Sequence, residues 1–153
     1  MYVDECGLDE KIQRDYGRSQ KGTRLMSNVL GKRSLRTSII AGLCNGKPLA
    51  PFHFQGYCNT EVILTWVEKI LLPELKPGMT VIWDNASFHQ SAQFKALIES
   101  AGCQLLFLPT YSPDLNPIEK FWARLKALIR RIRQTGMTLK QCLSQLFKSS
   151  LYF

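Results

Sequence analysis

Residues 80–108 read TVIWDNASFHQSAQFKALIESAGCQLLFL, and the pattern in this stretch decides the fold. The apolar run at residues 80–83 is typical of a buried strand, and it stops at Asp84. A helix is predicted next, because apolar residues recur at helical spacing before a glycine that can end it: Phe94, Leu97, Ile98, Ala101 and then Gly102. Residues 105–108 are predicted to form a second buried strand. The stretch therefore predicts a strand–helix–strand unit.

The sequence before this unit predicts a strand, a hairpin and a helix. We expect residues 1–4 to be the end of a short strand and the polar, basic residues 5–33 to form a loop or an irregular hairpin. Residues 38–43 and 49–54 are apolar runs joined by Asn45-Gly46, a strong signal for a two-residue hairpin. Asn59 can cap a helix that ends near Pro73.

Two helices are predicted after the unit. The first carries an unbroken apolar stripe at Ile118, Phe121, Trp122, Leu125, Leu128, Ile129 and Ile132. The second begins at Thr138, which has capping-box spacing to Gln141. The complete order favours an α/β fold with a mixed sheet flanked by helices, which is the order of the ribonuclease H-like fold. We expect residues 1–135 to form this core and residues 136–153 to contain a helix packed on it.

Charge and composition favour a protein that binds nucleic acid. The chain has 153 residues and a net charge of +8, and residues 120–148 contain eight Lys or Arg and no carboxylate. A second basic cluster lies within residues 14–36. Such patches fit a polyanion, nucleic acid ahead of a membrane surface. No apolar run approaches the ~18 residues that span a bilayer. The five scattered cysteines and two histidines predict reduced thiols rather than a zinc site.

Three carboxylates are placed to converge at one edge of this sheet. Asp4 is predicted to end the first strand, Asp84 ends the strand after the first helix, and Glu119 opens the third helix. Carboxylates suit Mg²⁺, and two ions held about 3.5–4 Å apart promote in-line displacement at phosphorus. Each residue also has a purely structural interpretation. Asp4 and Asp84 suit turns, and Glu119 suits the first turn of a helix capped by Asn116.

Three segments resemble the DDE transposases of the IS630/Tc1/mariner superfamily, and most closely the bacterial IS630 group. They are VDECG at residues 3–7, VIWDNASFH at residues 81–89 and LPTYSPDLNPIEKFW at residues 108–122. The 34 residues between Asp84 and Glu119 (119 − 84 − 1) match the spacing of that group. The resemblance implies that Asp4, Asp84 and Glu119 are the catalytic residues and the ligands of two Mg²⁺ or Mn²⁺ ions. Glu5 and Asp114 are the alternative ligands.

The resemblance also implies roles for neighbouring residues. Asn85 would hold the loop after Asp84. His89 matches the family's DNAxxH pattern and would contact DNA or organise the metal ligands, although a structural histidine at a helix start is an equal alternative. Lys126, Arg130 and Arg133 cluster with Glu119 on one flank of the third helix at 100° per residue, where a DNA backbone leaving the site would run. The alternative is a solvated charged face.

For the whole protein, the resemblance implies excision and insertion of a DNA element. The partners would be the element ends and a TA-containing target, with a homodimer as the active complex and no membrane. Only three residues precede Asp4, so we expect the family's helix-turn-helix domain to be absent, and a separate DNA-binding polypeptide to replace it. The expected location is the bacterial cytoplasm, at the nucleoid when bound to DNA. The alternatives are a stand-alone ribonuclease H-like nuclease and a catalytically silent DNA-binding remnant.

Overall fold

The structure, a computed structural model, describes residues 1–9, 18–24, 36–86, 91–110 and 112–148. Within these residues, five strands form one sheet in the order β3-β2-β1-β4-β5, with four α-helices packed on its faces. The elements are β1 (Tyr2–Leu8), β2 (Thr37–Cys44), β3 (Lys47–Gln55), α1 (Thr60–Trp66), β4 (Thr80–Trp83), α2 (Ala92–Ser100), β5 (Gln104–Phe107), α3 (Ile118–Arg133) and α4 (Leu139–Lys148).

The sheet is mixed, as predicted. β2 pairs antiparallel with both β1 and β3, whereas β1, β4 and β5 run parallel to one another. The carboxyl ends of these three parallel strands therefore lie at the same edge. Asp84 and the segment that leads to α3 both follow strands that end there.

The first strand is longer than predicted, so the expectation that β1 ends at Asp4 was wrong. β1 continues to Leu8 and pairs with β2 over its whole length, from Tyr2 opposite Leu43 to Leu8 opposite Thr37. Cys6 and Leu8 alternate with Asp4 on one face and are buried there. This alternation extends the strand because both apolar side chains add to the core. Of the predicted loop over residues 5–33, residues 10–17 and 25–33 lie outside the described residues.

The local signals before β4 gave the predicted elements. Asn45 and Gly46 have φ of 50° and 78°, the left-handed conformation that a tight hairpin requires at both central positions. The Asn59 side chain accepts a hydrogen bond from the Val62 amide at 2.9 Å and so caps α1. The chain stays helical beyond α1, through a π-turn (Val67–Leu71) and a 3₁₀ turn (Leu72–Glu74). Pro73 therefore lies within the last turn rather than ending the helix.

The two faces of the sheet bury separate cores. α1 and α2 cover one face, where the rings of Trp66 and Phe94 pack edge-on against Trp83 with centroids 5.9 and 4.9 Å away. α3 and α4 cover the other face, which buries Cys6 and Leu8 of β1. The side chains of Thr138 and Gln141 exchange hydrogen bonds with each other's backbone amides, which is the predicted capping box of α4. Within the described residues, no helix is long and apolar enough to cross a membrane.

Candidate active site

A cleft of about 460 Å³ opens at the carboxyl edge of the parallel strands, and all three predicted carboxylates line it. Asp4 comes from β1, Asp84 from the end of β4, and Glu119 from the first turn of α3. The remaining wall consists of residues that follow β4 and β5 or precede α3: Asn85, Ala86, Leu108, Pro109, Thr110, Ser112, Pro113 and Asn116. The chain thus brings together carboxylates that are 80 and 35 residues apart in sequence (84 − 4 and 119 − 84).

Strand register sets Asp4 and Asp84 at one level. Tyr2 of β1 pairs with Ile82 of β4, and each aspartate follows its partner residue by two positions on parallel strands. Asp84 lies directly after β4, where its Oδ1 accepts a hydrogen bond from the Ala86 amide at 3.3 Å. This bond is typical of an Asx-turn and fixes the carboxylate against the loop that follows the strand.

Asp4 is the one buried charged side chain among the described residues, at 8% exposure. Its Oδ2 accepts a hydrogen bond from the indole Nε1 of Trp122 at 3.0 Å. Burial, followed by the nearby Glu5 and Glu119 carboxylates, raises the pKa of Asp4 to about 7, against the lowering effect of its hydrogen bonds. A negative charge at this position is therefore costly unless a cation lies beside it.

Glu119 combines the structural and the functional interpretation. Asn116 is extended, Pro117 already has helical dihedrals, and the Glu119 amide donates to the Asn116 carbonyl at 3.1 Å. The Asn116 side chain accepts from the Ile118 amide at a longer 3.4 Å. The expected capping geometry is therefore present, and it places the exposed Glu119 carboxylate at the cleft. Capping explains the helix start and does not compete with a role in the site.

Neither alternative ligand lines the described part of the cleft. Glu5 follows Asp4 on a strand, so its side chain lies on the opposite face of the sheet, where its charge adds to the burial that raises the pKa of Cys58 to about 12. Asp114 is exposed in a 3₁₀ turn (Pro113–Leu115). Geometry therefore favours Asp4 over Glu5 and Glu119 over Asp114.

The other predicted residues are placed in different ways. Asn85 lines the cleft beside Asp84. His89 lies outside the described residues. Lys126, Arg130 and Arg133 are half-buried rather than fully solvated. Burial raises the pKa of the Cys6 thiol, and the nearby Lys126 ammonium opposes the rise. Lys126 therefore faces β1, on the same side of α3 as Glu119.

Trp122 was missed as a site residue by sequence reasoning. Its apolar neighbours on α3 made it part of the helical stripe, and the stripe prediction was correct, since Trp122 is 2% exposed. One signal was available. Trp122 follows Glu119 by three residues, so both side chains lie on one side of the helix, and a buried indole N–H needs an acceptor.

The residues fit a hard divalent cation in type, because all three are carboxylates that share one cleft. In the part of the chain that the structure describes, no three His, Cys, Asp or Glu side chains are close enough to hold an ion together. Mg²⁺ sites commonly use one or two carboxylates together with waters and substrate phosphates instead of a closed protein cage. The cleft suits a metal whose ligand set is completed by the substrate.

Comparison with known proteins identifies the family. Residues 1–141 match the family described as DDE superfamily endonuclease. The chain belongs to the DDE superfamily endonucleases. A search of curated proteins finds no match to the sequence of this DDE domain.

Solved structures with the same fold include chains of transposase and intasome complexes. A chain of the Mos1 strand transfer complex has a TM-score of 0.65 at 18% identity. The match covers 83% of the present chain and 40% of that chain. A chain of the Mos1 mariner paired-end complex with Mn has a TM-score of 0.60 at 18% identity. The match covers 80% of the present chain and 39% of that chain. A chain of the simian T-cell lymphotropic virus intasome with PP2A regulatory subunit B56 gamma has a TM-score of 0.60 at 12% identity. The match covers 94% of the present chain and 44% of that chain.

At these low sequence identities, the structural similarity shows the fold alone. It confirms the predicted ribonuclease H-like fold. The DDE domain spans about two fifths of the length of the Mos1 chains that it matches.

Proposed function

We propose that this chain is the catalytic domain of an IS630-type transposase, which cuts DNA strands at the ends of a mobile element and joins them to a target. One observation carries the proposal: Asp4, Asp84 and Glu119 line a single cleft in a domain of the DDE family. The spacing of 34 residues between Asp84 and Glu119 and the SPDLNPIE segment at residues 112–119 support the IS630 type.

Other residues of the chain orient the three carboxylates. The Trp122 indole orients Asp4, the Ala86 amide orients Asp84, and the first turn of α3 presents Glu119. Two Mg²⁺ or Mn²⁺ ions, when bound by these carboxylates, would supply activation of a water or 3′-hydroxyl and stabilisation of the leaving oxygen. Pro109 and Pro113 line the same cleft, and their rings restrict the backbone there.

The proposed partners are the DNA ends of the element and a TA-containing target, in a homodimeric complex. The net charge of +8 and the Lys126, Arg130 and Arg133 flank of α3 support a DNA partner. The Mos1 structures that share the fold include a strand transfer complex and a paired-end complex. We further propose a separate polypeptide for sequence-specific end binding and a location in the bacterial cytoplasm.

Substitution of the carboxylates tests the assignment. Asp84→Asn and Glu119→Gln should each reduce Mn²⁺-dependent nicking of a supercoiled plasmid at least about 1000-fold, because each removes a negative oxygen that holds the metal. Glu5→Gln and Asp114→Asn are matched controls, since neither side chain lines the described cleft, and both should retain nicking within about tenfold. Full activity of Asp84→Asn would contradict the proposal.

The products of the same assay separate the competing functions. A transposase domain should join a pre-cut element end to plasmid DNA, whereas a stand-alone nuclease would only cut. If the wild-type chain neither cuts nor joins with Mn²⁺, while circular dichroism shows it folded, the silent DNA-binding remnant becomes the better interpretation.

A further inference from the structure

A buried hydrogen bond connects β1 and α3, the two elements that carry Asp4 and Glu119. Trp122 of α3 donates from Nε1 to Oδ2 of Asp4 on β1 over 3.0 Å, between residues 118 positions apart in sequence. Both side chains are almost fully buried, at 2% and 8% exposure. Because both side chains are buried, this bond is stronger than one at the surface, and its loss leaves a buried group unsatisfied.

The position of Trp122 on α3 gives this bond its consequence. Trp122 follows Glu119 by three residues, which places both side chains on the side of the helix that faces β1. The ring also packs against Phe121, with centroids 5.1 Å apart, within the core under α3. The indole therefore cannot turn away from Asp4 without disturbing that core. Through this contact, the position of the helix that bears Glu119 is fixed relative to Asp4.

We propose that Trp122 is a positioning residue of the metal site, which orients the Asp4 carboxylate and holds it in register with Glu119. The inference rests on the proposed function. An indole is only a donor, so it binds Asp4 as an acceptor and occupies one lone pair of Oδ2, and the carboxylate keeps further lone pairs for a cation. Groups that orient metal ligands in this way typically change metal affinity or activity 10–100-fold when they are removed.

The chain contains a matched control for a buried indole. Trp66 is 1% exposed and donates from Nε1 to the Ala50 carbonyl at 2.9 Å, in the core on the other face of the sheet. Trp66→Phe and Trp122→Phe each remove one buried N–H donor and keep an aromatic ring. A purely structural role for Trp122 predicts the same effects for both variants. A positioning role predicts that the metal site responds only to Trp122→Phe.

The first experiment measures Mn²⁺ affinity by calorimetry together with kcat and KM for plasmid nicking. We expect Trp122→Phe to weaken Mn²⁺ binding about 10–100-fold and to lower kcat, with KM for DNA changed less than about twofold. Trp66→Phe should keep wild-type Mn²⁺ affinity even if its melting temperature falls as far. Equal Mn²⁺ affinities in the two variants would overturn the proposal.

The second experiment uses the wild-type chain, so it does not depend on whether Trp122→Phe folds. The chain has three tryptophans, and their indole ¹⁵N–H resonances are followed by NMR during a Mg²⁺ titration. The Trp122 resonance should shift with the metal, and the Trp66 resonance should stay in place. If the amides of residues 84–86 respond while Trp122 does not, the positioning role is wrong and the metal site stands. If no resonance responds, the proposed function fails with it.

Discussion

Asp4 lies where burial and hydrogen bonding act on its charge in opposite directions. Burial is the largest influence and raises its pKa to about 7, and Glu5 and Glu119 add to the rise, whereas the backbone of Glu5 and the Trp122 indole lower it. The Trp122 bond does not remove the cost of a buried charge, because its lowering effect is smaller than that of burial. A charged Asp4 therefore lowers the stability of the folded chain, and neutralising Asp4 should remove this cost.

The cost of a charged Asp4 predicts that, in chelator, the stability difference between the wild-type chain and Asp4→Asn depends on pH. The pKa of Asp4 is 3.8 in the unfolded chain and about 7 in the folded one. The stabilising contribution is thus present below the unfolded value and is lost as pH rises through about 7. At about pH 8, Asp4→Asn should melt roughly 5–10 °C above wild type, and near pH 4 the two should melt together. Differential scanning calorimetry measures both temperatures.

Two controls accompany this measurement. Asp114→Asn removes an exposed carboxylate and should follow wild type at every pH. Excess Mg²⁺ should raise the melting temperature of wild type more than that of Asp4→Asn, because a bound cation offsets the buried charge. A wild-type chain that is as stable as Asp4→Asn at about pH 8 in chelator would show that Asp4 is solvated well enough to carry its charge.

At the scale of elements, the sequence predicted what is determined by neighbours in the chain. The Asn45-Gly46 turn, the Asn59 cap and the Thr138–Gln141 capping box involve residues a few positions apart, and each is present. The apolar period of α3 is equally local. These patterns reach about as far as one turn or one hairpin, so they gave the correct order of elements and hence the fold.

The features that were mispredicted or missed depend on residues distant in sequence. The extension of β1 to Leu8 follows from pairing with β2, which begins 29 residues later (37 − 8). The polar pair Asp4-Glu5 in the middle of this strand concealed the extension. Trp122 reads as a core residue until its partner on β1 is known. The site carboxylates were found through motif resemblance, since each one alone suits a turn or a cap.

The basic flank of α3 gives a prediction that belongs to this element. Lys126 and Arg130 lie on the same flank of α3 as Glu119 at 100° per residue, and Arg130 donates from Nε to the Lys126 carbonyl at 3.1 Å. In a plot of the logarithm of DNA affinity against the logarithm of salt concentration, the slope becomes shallower by about 0.9 for each lost phosphate contact. Lys126→Gln combined with Arg130→Gln should make the slope shallower by up to about two units in fluorescence anisotropy.

A second pair on the same helix is the matched control. Arg124 and Arg131 are exposed and lie more than 90° around the helix from Lys126. Arg124→Gln with Arg131→Gln changes the net charge by the same amount, so a common effect of both pairs reflects total charge rather than a DNA path. If only the Arg124 and Arg131 pair changes the slope, the DNA crosses the opposite side of α3.

At the scale of the whole molecule, negative and positive charges are separated. The three carboxylates converge at one cleft, while residues 120–148 carry eight basic side chains and no carboxylate. A divalent cation bound at the cleft would offset the negative potential of the three carboxylates. The cleft and the basic residues of α3 would then both attract phosphates. Metal and DNA binding should therefore support each other.

This distribution predicts that the chain binds DNA with little regard to sequence. Lysine and arginine side chains that meet phosphates position a duplex without reading its bases. Affinity should therefore be similar for two unrelated duplexes and for one carrying the element's terminal repeat, and it should fall steeply for all three as salt rises. Anisotropy across a salt series, in Ca²⁺ to slow cleavage, measures this. A preference for the terminal repeat above about tenfold would mean that side chains of this chain reach base edges, and it would remove the need for a separate end-binding polypeptide.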